Sequence, residues 1–286
     1  MNFLQILILS ILQGAAELLP VSSSAHVIIA EKLMHLDPSS PPMTMLLVML
    51  HTGTMFAVIA YFWTGWRRNY FSSALRFKDF LVQVIVATIC TLAVYGVISM
   101  AAKKLFLHGA EHADIEDLFS NLPLIGGALF AVGILIIYAG IHSEKSRQGG
   151  EIQLPQSVWI GLVQGFCLAF RGFSRSGGTI STGLLLGLSK EKLEEFSFAL
   201  AVVITPLAIG KEALRLLKSN HDTGAHVPIL HLMGPSLVGM VFSFGAGLLA
   251  LKWLSQWLEG GRWKLFGFYC IAASAVVLAL HFTMGL

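Results

Sequence analysis

Apolar residues along this chain come in runs of about twenty separated by short polar stretches, the length at which an α-helix crosses a hydrocarbon core. Six such runs, at about 43–63, 80–101, 121–141, 196–210 with its flanks, 229–251 and 263–283, predict six transmembrane helices. Four shorter apolar segments, about 3–19, 27–36, 157–170 and 179–188, are interrupted by Gly, Pro and Ser. They are too short to span and predict two re-entrant helical hairpins, 3–36 and 157–188, each entering and leaving by one face. The predicted class is an all-α polytopic membrane protein.

The pattern repeats. Shifted by 151 residues, Ile11–His26 falls on Leu162–Gly177, with Gln13-Gly14 on Gln164-Gly165 and Ser23 on Ser174. The same shift sets Thr54 and Ala57 on Thr205 and Ala208, so the register holds over about 45 residues. The chain divides into a first repeat, 1–142, and a second, 152–286, each one broken hairpin and three spans within a single membrane domain. Three crossings per half is an odd number, which turns the second half upside down relative to the first: an inverted-topology repeat, with the site expected between the two broken elements.

Composition agrees: 55% of the 286 residues are hydrophobic and 12% charged, where a soluble domain carries roughly a quarter charged. The run 3–20 lacks a Lys or Arg ahead of its apolar part and contains Gln13 and Glu17, so it reads as part of the fold rather than a signal peptide. Cys90, Cys167 and Cys270 lie far apart in apolar segments, which speaks against zinc or a disulfide framework. Eleven basic residues fall on one side, in 64–79, 142–155, 189–195 and 252–264. Six fall on the other (Lys32, Lys103, Lys104, Lys211, Arg215 and Lys218), with the acidic stretch 111–117. The richer side is expected in the cytoplasm and both termini outside it. No nucleic-acid partner is expected.

Polar groups at membrane depth are costly, so those that persist there are candidates for function. In the first broken element Gln13 and Glu17 are spaced i, i+4 and share a helix face. Pro20 ends that helix, Ser22, Ser23 and Ser24 can cap the next, and His26 stands in its first turn. Two readings fit. A hydroxyl activated by an imidazole that a carboxylate orients is the plan of nucleophilic catalysis; alternatively the serines only cap, His26 is internally hydrogen-bonded and Glu17 is protonated. In the second element, Arg171–Gly183 sets Arg171 and Arg175 among hydroxyls and glycines before a short helix expected to start near 178. Unpaired N–H groups at a helix start and guanidinium forks suit phosphate; snorkelling, or pairing with a glutamate, is the plainer role for either arginine. His51, in the first span, reads as a core histidine, and His108, His112, His221 and His226 show no metal spacing.

These motifs, Gln13…Glu17-(x)2-Pro20-Val21-Ser22-Ser23-(x)2-His26 and Gly172-Phe173-Ser174-Arg175-Ser176-(x)2-Thr179, resemble those of the undecaprenyl-diphosphate phosphatases, also called bacitracin-resistance proteins. The likeness covers nearly the whole chain, including Glu195–Phe198. It implies hydrolysis of the C55 polyprenyl diphosphate to the monophosphate at the outer side of the bacterial plasma membrane, and peptidoglycan carrier recycling. It maps Glu17, Ser22, Ser23 and His26, then Ser174, Arg175, Ser176 and Thr179, onto the family motifs, and implies a divalent cation, Mg or Ca, between Glu17 and the diphosphate. Three positions depart: Gln13 where many members carry Glu, Ala25 for a common Gly, and Arg171 for the usual Pro.

The expected chemistry has Ser23 attacking the terminal phosphorus, or His26 itself as nucleophile. In the first case His26 is base and then acid, with Glu17 orienting it or holding the metal. Arg175 and the 172–178 backbone then stabilise the developing charge. Gln13, Ser22, Arg171, Gly172, Ser174, Ser176, Gly177 and Thr179 are the expected substrate contacts. The partners are the polyprenyl diphosphate and membrane lipids, and the reading allows a homo-oligomer. The rival function is a transporter or flippase of a lipid-linked phosphate or small anion using the same cradle. A second membrane phosphatase superfamily needs a His about six residues after its Ser-Arg, where Ser181 stands.

Overall fold

The computed structural model describes residues 1–38, 40–106, 121–145, 149–222 and 229–284. Among these the chain forms ten helices and no strand beyond one isolated bridge between Gly150 and Leu188. They are α1 Phe3–Leu18, α2 Ser23–Leu33, α3 Pro41–Asn69, α4 Ala74–Phe106 and α5 Leu122–Lys145, then α6 Leu154–Ala169, α7 Arg175–Leu185, α8 Lys190–Asp222, α9 Ile229–Glu259 and α10 Trp263–Met284. Six stretches are long and apolar enough to cross a bilayer: Pro41–Asn69, Ala74–Lys104, Leu122–Glu144, Lys190–Gly210, Met233–Glu259 and Trp263–Thr283. The chain is a multi-pass membrane protein. Several helices outrun the apolar runs because charged ends extend past the hydrocarbon. Arg67 and Arg68 close α3 and Glu191 opens α8, each at the end the helix dipole favours.

Local chemistry sets the breaks. Asn2 opens α1 with a reciprocal cap, its side chain accepting from Gln5 N at 2.8 Å while Gln5 Oε1 accepts from Asn2 N at 2.9 Å. Leu19 leaves that helix at φ −72° and ψ 153°, the extended geometry that a following proline imposes. α2 then starts at Ser23 with Ser22 in the N-cap position, as the serine run and the place of His26 predict, although Ser22 makes no side-chain cap bond; α7 starts at Arg175 rather than near 178. Ser174 Oγ accepts from Gly177 N at 3.2 Å to cap α7.

Packing follows small residues, as it must where lipid is as apolar as the helices. α1 lies on α9 and α6 on α4, while α3 packs on α8 and α9, and α5 on α10. A Cβ added at Gly14 would sit 2.6 Å from Ser243 O and 2.8 Å from Ala246 Cβ; one at Gly165 would sit 2.5 Å from Thr91 O and 2.8 Å from Val94 Cβ. At one end of the bundle the four basic stretches touch. Arg68 pairs with Glu191, Lys192 with Glu151, and Lys264 with Glu144 at 2.9 Å. The start of α6 and the end of α7 also meet there, with Gly149 N and Gly150 N donating to Gly187 O at 3.2 and 3.0 Å. Arg147, residues 111–117, His108, His112 and His226 lie outside the described residues. The side chains of Lys145, Lys211, Arg215, Lys218 and His221 do too, although His221 itself is helical rather than in a loop.

Candidate active site

Two interrupted helices leave backbone carbonyls without helical partners, which a bilayer interior tolerates only if protein groups satisfy them. Leu19 O accepts from Val21 N at 2.8 Å and from Ser176 Oγ, on α7, at 3.2 Å. Pro20 O accepts from Cys270 Sγ, on α10, at 3.2 Å, and Ser22 O lies 2.8 Å from His26 Nδ1. Ser22 holds φ 66°, ψ 97°, a left-handed conformation that costs a non-glycine residue about 1–3 kcal/mol. Gly172 turns the second element at φ +97° and packs against Ile125, and its N–H donates to Ser24 Oγ at 3.4 Å. The two turns are thus tied to each other.

Glu17 is the hub. Its Oε2 accepts from Ser23 Oγ at 2.6 Å and from Gln13 Nε2 at 3.1 Å, and its Oε1 lies 3.5 Å from Arg175 Nη2. The Arg175 side chain is 11% exposed, and its Nη1 is buried with no hydrogen-bond partner among the described residues. His51 joins the cluster, with Nε2 3.2 Å from Gln13 Nε2 and 4.0 Å from Glu17 Oε2. Its Nδ1 lies 2.8 Å from Leu47 O. A carbonyl can only accept, so the proton of neutral His51 sits on Nδ1, and Nε2 accepts from Gln13.

Two cavities meet at this hub. One of about 250 Å³ is lined by Gln13, Ser23, Ser24, Glu31, His51 and Arg171 and continues between apolar side chains; the other, of about 200 Å³, is lined by Glu17, Ser22, Ser23, Ser174 and Arg175. Ser23, Ser24 and Arg171 border both. Glu31, on α2, is 4% exposed; burial pushes its carboxyl up to about 7, and the Arg171 charge pulls the other way.

Several expected contacts are spent on structure instead. His26 does not face Ser23. Its Nδ1 is taken by Ser22 O and its Nε2 lies 2.6 Å from Tyr269 Oη, with the two rings stacked, so the expected Ser23–His26 bond is replaced by Ser23–Glu17. Ser176 is buried on Leu19 O, and Thr179 Oγ1 bonds Arg175 O at 2.9 Å and Ser197 Oγ at 2.7 Å. Gly177 is buried against Ile136 and Ser174, so the glycines of α7 make room for packing rather than for an anion. His51, which the sequence offered as a cavity-lining or, more plainly, a core histidine, lines the larger cavity, and Tyr269 and Glu31 are site neighbours that sequence reasoning passed over. The cost of an imidazole inside an apolar span was the available signal for His51; Tyr269, 243 residues from His26, gave none.

A divalent cation held by Glu17 does not fit this arrangement. Both carboxylate oxygens already face N–H or O–H donors, the guanidinium would oppose a cation, and Gln13 supplies no second carboxylate. Among the described residues no group of three or more His, Cys, Asp or Glu converges on a point, whereas hard cations need several oxygen ligands.

Residues 6–276, from within α1 to within α10 and including both broken elements, match the family described as bacitracin resistance protein BacA. The chain belongs to that family. This BacA-family chain is 58% identical over 283 residues, 98% of each chain, to undecaprenyl-diphosphatase 2 of Acinetobacter baylyi. It is 33% identical to the undecaprenyl-diphosphatase of Korarchaeum cryptofilum over 98% of this chain and 100% of the relative, and 30% identical to that of Desulfitobacterium hafniense over 97% and 95%. The likeness first seen in two short motifs extends through all six candidate spans.

Proposed function

We propose that this BacA-family chain hydrolyses undecaprenyl diphosphate to undecaprenyl phosphate and inorganic phosphate, recycling the cell-wall lipid carrier and conferring bacitracin resistance. The observation that carries the reading is the buried Arg175 guanidinium with a free Nη1, in the same cavity as a serine hydroxyl hydrogen-bonded to a carboxylate. A desolvated guanidinium whose Nη1 has no hydrogen-bond partner among the described residues calls for an anion, and a Ser–Glu pair supplies a nucleophile with its base.

The geometry revises the division of labour. Ser23 Oγ attacks the terminal phosphorus and its proton passes to Glu17 Oε2 as the bond to the bridging oxygen breaks. Undecaprenyl phosphate leaves, and water releases the phosphoryl group from Ser23. Arg175 stabilises charge on the equatorial oxygens. His26 holds the strained Ser22 turn through Ser22 O and Tyr269. No step is routed through a cation.

The hairpins are re-entrant and the halves inverted in this reading. Its supports are the meeting of both ends of α6–α7 at Gly149, Gly150 and Gly187, and the matching close approaches of Gly14 to α9 and Gly165 to α4. The site opens to the outer side of the bacterial inner membrane, away from the end where the basic stretches cluster.

Phosphate release from undecaprenyl diphosphate by purified protein tests the reading. Ser23→Ala, Glu17→Gln and Arg175→Ala are expected to lose about 100-fold or more in kcat/KM, and His26→Ala less than Glu17→Gln. Near-normal rates in folded Ser23→Ala and Arg175→Ala would sink it and favour transport through the same cradle. An acid-stable phosphoenzyme marks Ser23 as the nucleophile, an acid-labile one His26.

A further inference from the structure

The surface of α2 that faces the larger cavity reads Ser24, Val27 and Ile28, then Glu31, spaced i, i+3/i+4 and i+7, a single stripe along the helix. Glu31 ends that stripe, buried, and the chemistry above does not use it. The charge acting on it is Arg171, which reaches over from the turn of the second hairpin. That turn is fixed on α2 by the bond from Gly172 N to Ser24 Oγ at 3.4 Å. Arg171 also borders both cavities, as do Ser23 and Ser24, so these three residues form the neck between them.

A diphosphate whose terminal phosphoryl group sits by Ser23 and Arg175 carries its second phosphate one bridging oxygen away, at that neck. Beyond the neck the cavity is also lined by Val27, Ile28, Leu47 and Val48, apolar side chains suited to a prenyl chain. We infer that Arg171 is the specificity-determining cation for the second, lipid-linked phosphate, and that Glu31 is the positioning residue that holds it at the neck. This rests on the proposed function for its substrate. A guanidinium has five N–H donors in a planar fork, enough to face both Glu31 and phosphate oxygens in the cavity that both residues line; an ammonium cannot do both in fixed geometry.

The test uses the full chain in detergent micelles and two non-hydrolysable probes, farnesyl methylenebisphosphonate and an analogue in which an uncharged methylene linker replaces the lipid-linked phosphoryl group and leaves the terminal phosphonate in place. The parent protein is expected to prefer the bisphosphonate. In Arg171→Ala the ratio of the two affinities falls by about 10- to 100-fold, the range for a charge-assisted hydrogen bond lost at a desolvated site. Arg171→Lys recovers part of it. Glu31→Gln lowers the ratio in the same direction and adds nothing in the double variant with Arg171→Ala, because a positioning residue acts only through its partner. Glu31→Asp, which keeps the charge, gives an intermediate ratio and serves where Glu31→Gln folds poorly. A ratio unmoved by Arg171→Ala, or effects of the two substitutions that multiply, overturns the inference. Binding and turnover separate the two claims: an Arg171-dependent preference without phosphate release defeats the hydrolase reading alone, while release with an unmoved ratio defeats this one alone.

Discussion

Glu17 has four polar neighbours, one on its own helix and three on other elements, and how much of that was legible depends on sequence distance. Gln13 and Glu17 share a helix face and Ser23 follows the proline break, so their convergence could be read from spacing. His26 could not be read in the same way. Three residues from Ser23, it is nonetheless drawn off by the carbonyl of a left-handed Ser22 and by Tyr269, whose approach depends on the whole bundle. His51 read as a core histidine and Glu31 drew no reading at all, until α3 and α2 faced each other across a cavity. The exchange at position 13 has a measurable consequence. Gln13→Glu would set a second carboxylate beside Glu17, and two like charges at that distance demand a counter-cation. Stimulation of phosphate release by Mg²⁺ after chelation is expected to be larger in Gln13→Glu than in the parent. Equal stimulation would mean that this position has no bearing on metal use.

Among the helices, close approach at glycine is what lets short elements hold a site in lipid. The Cβ built at Gly14 or at Gly165 meets a carbonyl oxygen and a Cβ of the opposing helix, both less than 3 Å away. Backbone cannot yield as a flexible side chain can. Gly14→Val and Gly165→Val are therefore each expected to destabilise the protein by about 1–3 kcal/mol or more, read as a lower Tm in detergent, with Gly210→Val, which meets open space, as the neutral comparison. The number and nature of the elements were legible because the spans follow the apolar runs and the breaks follow Pro20 and Gly172. Their edges were less so. Ser176 and Gly177, expected ahead of α7, are helical, because Ser176 Oγ is taken by Leu19 O and Gly177 packs against Ile136.

At the scale of the molecule, ion pairs link the four basic stretches at one end, and loop charge then orients the bundle. Asp37 and Ser73, both exposed, lie before and after the first span. In intact cells, Asp37→Cys is expected to react with a membrane-impermeant maleimide and Ser73→Cys only after permeabilisation; the reverse pattern would invert the orientation. The internal repeat was legible because its register runs without a gap, yet the site is far from symmetric. Under the shift of 151 residues Glu17 corresponds to Leu168, and Arg175 to Ser24. The acid stands in the first half of the chain and the cation in the second, and they lie 3.5 Å apart. A centre that draws one pair of opposite charges from the two halves of a polypeptide exists once per chain, and neither half can lose its share without silencing the other.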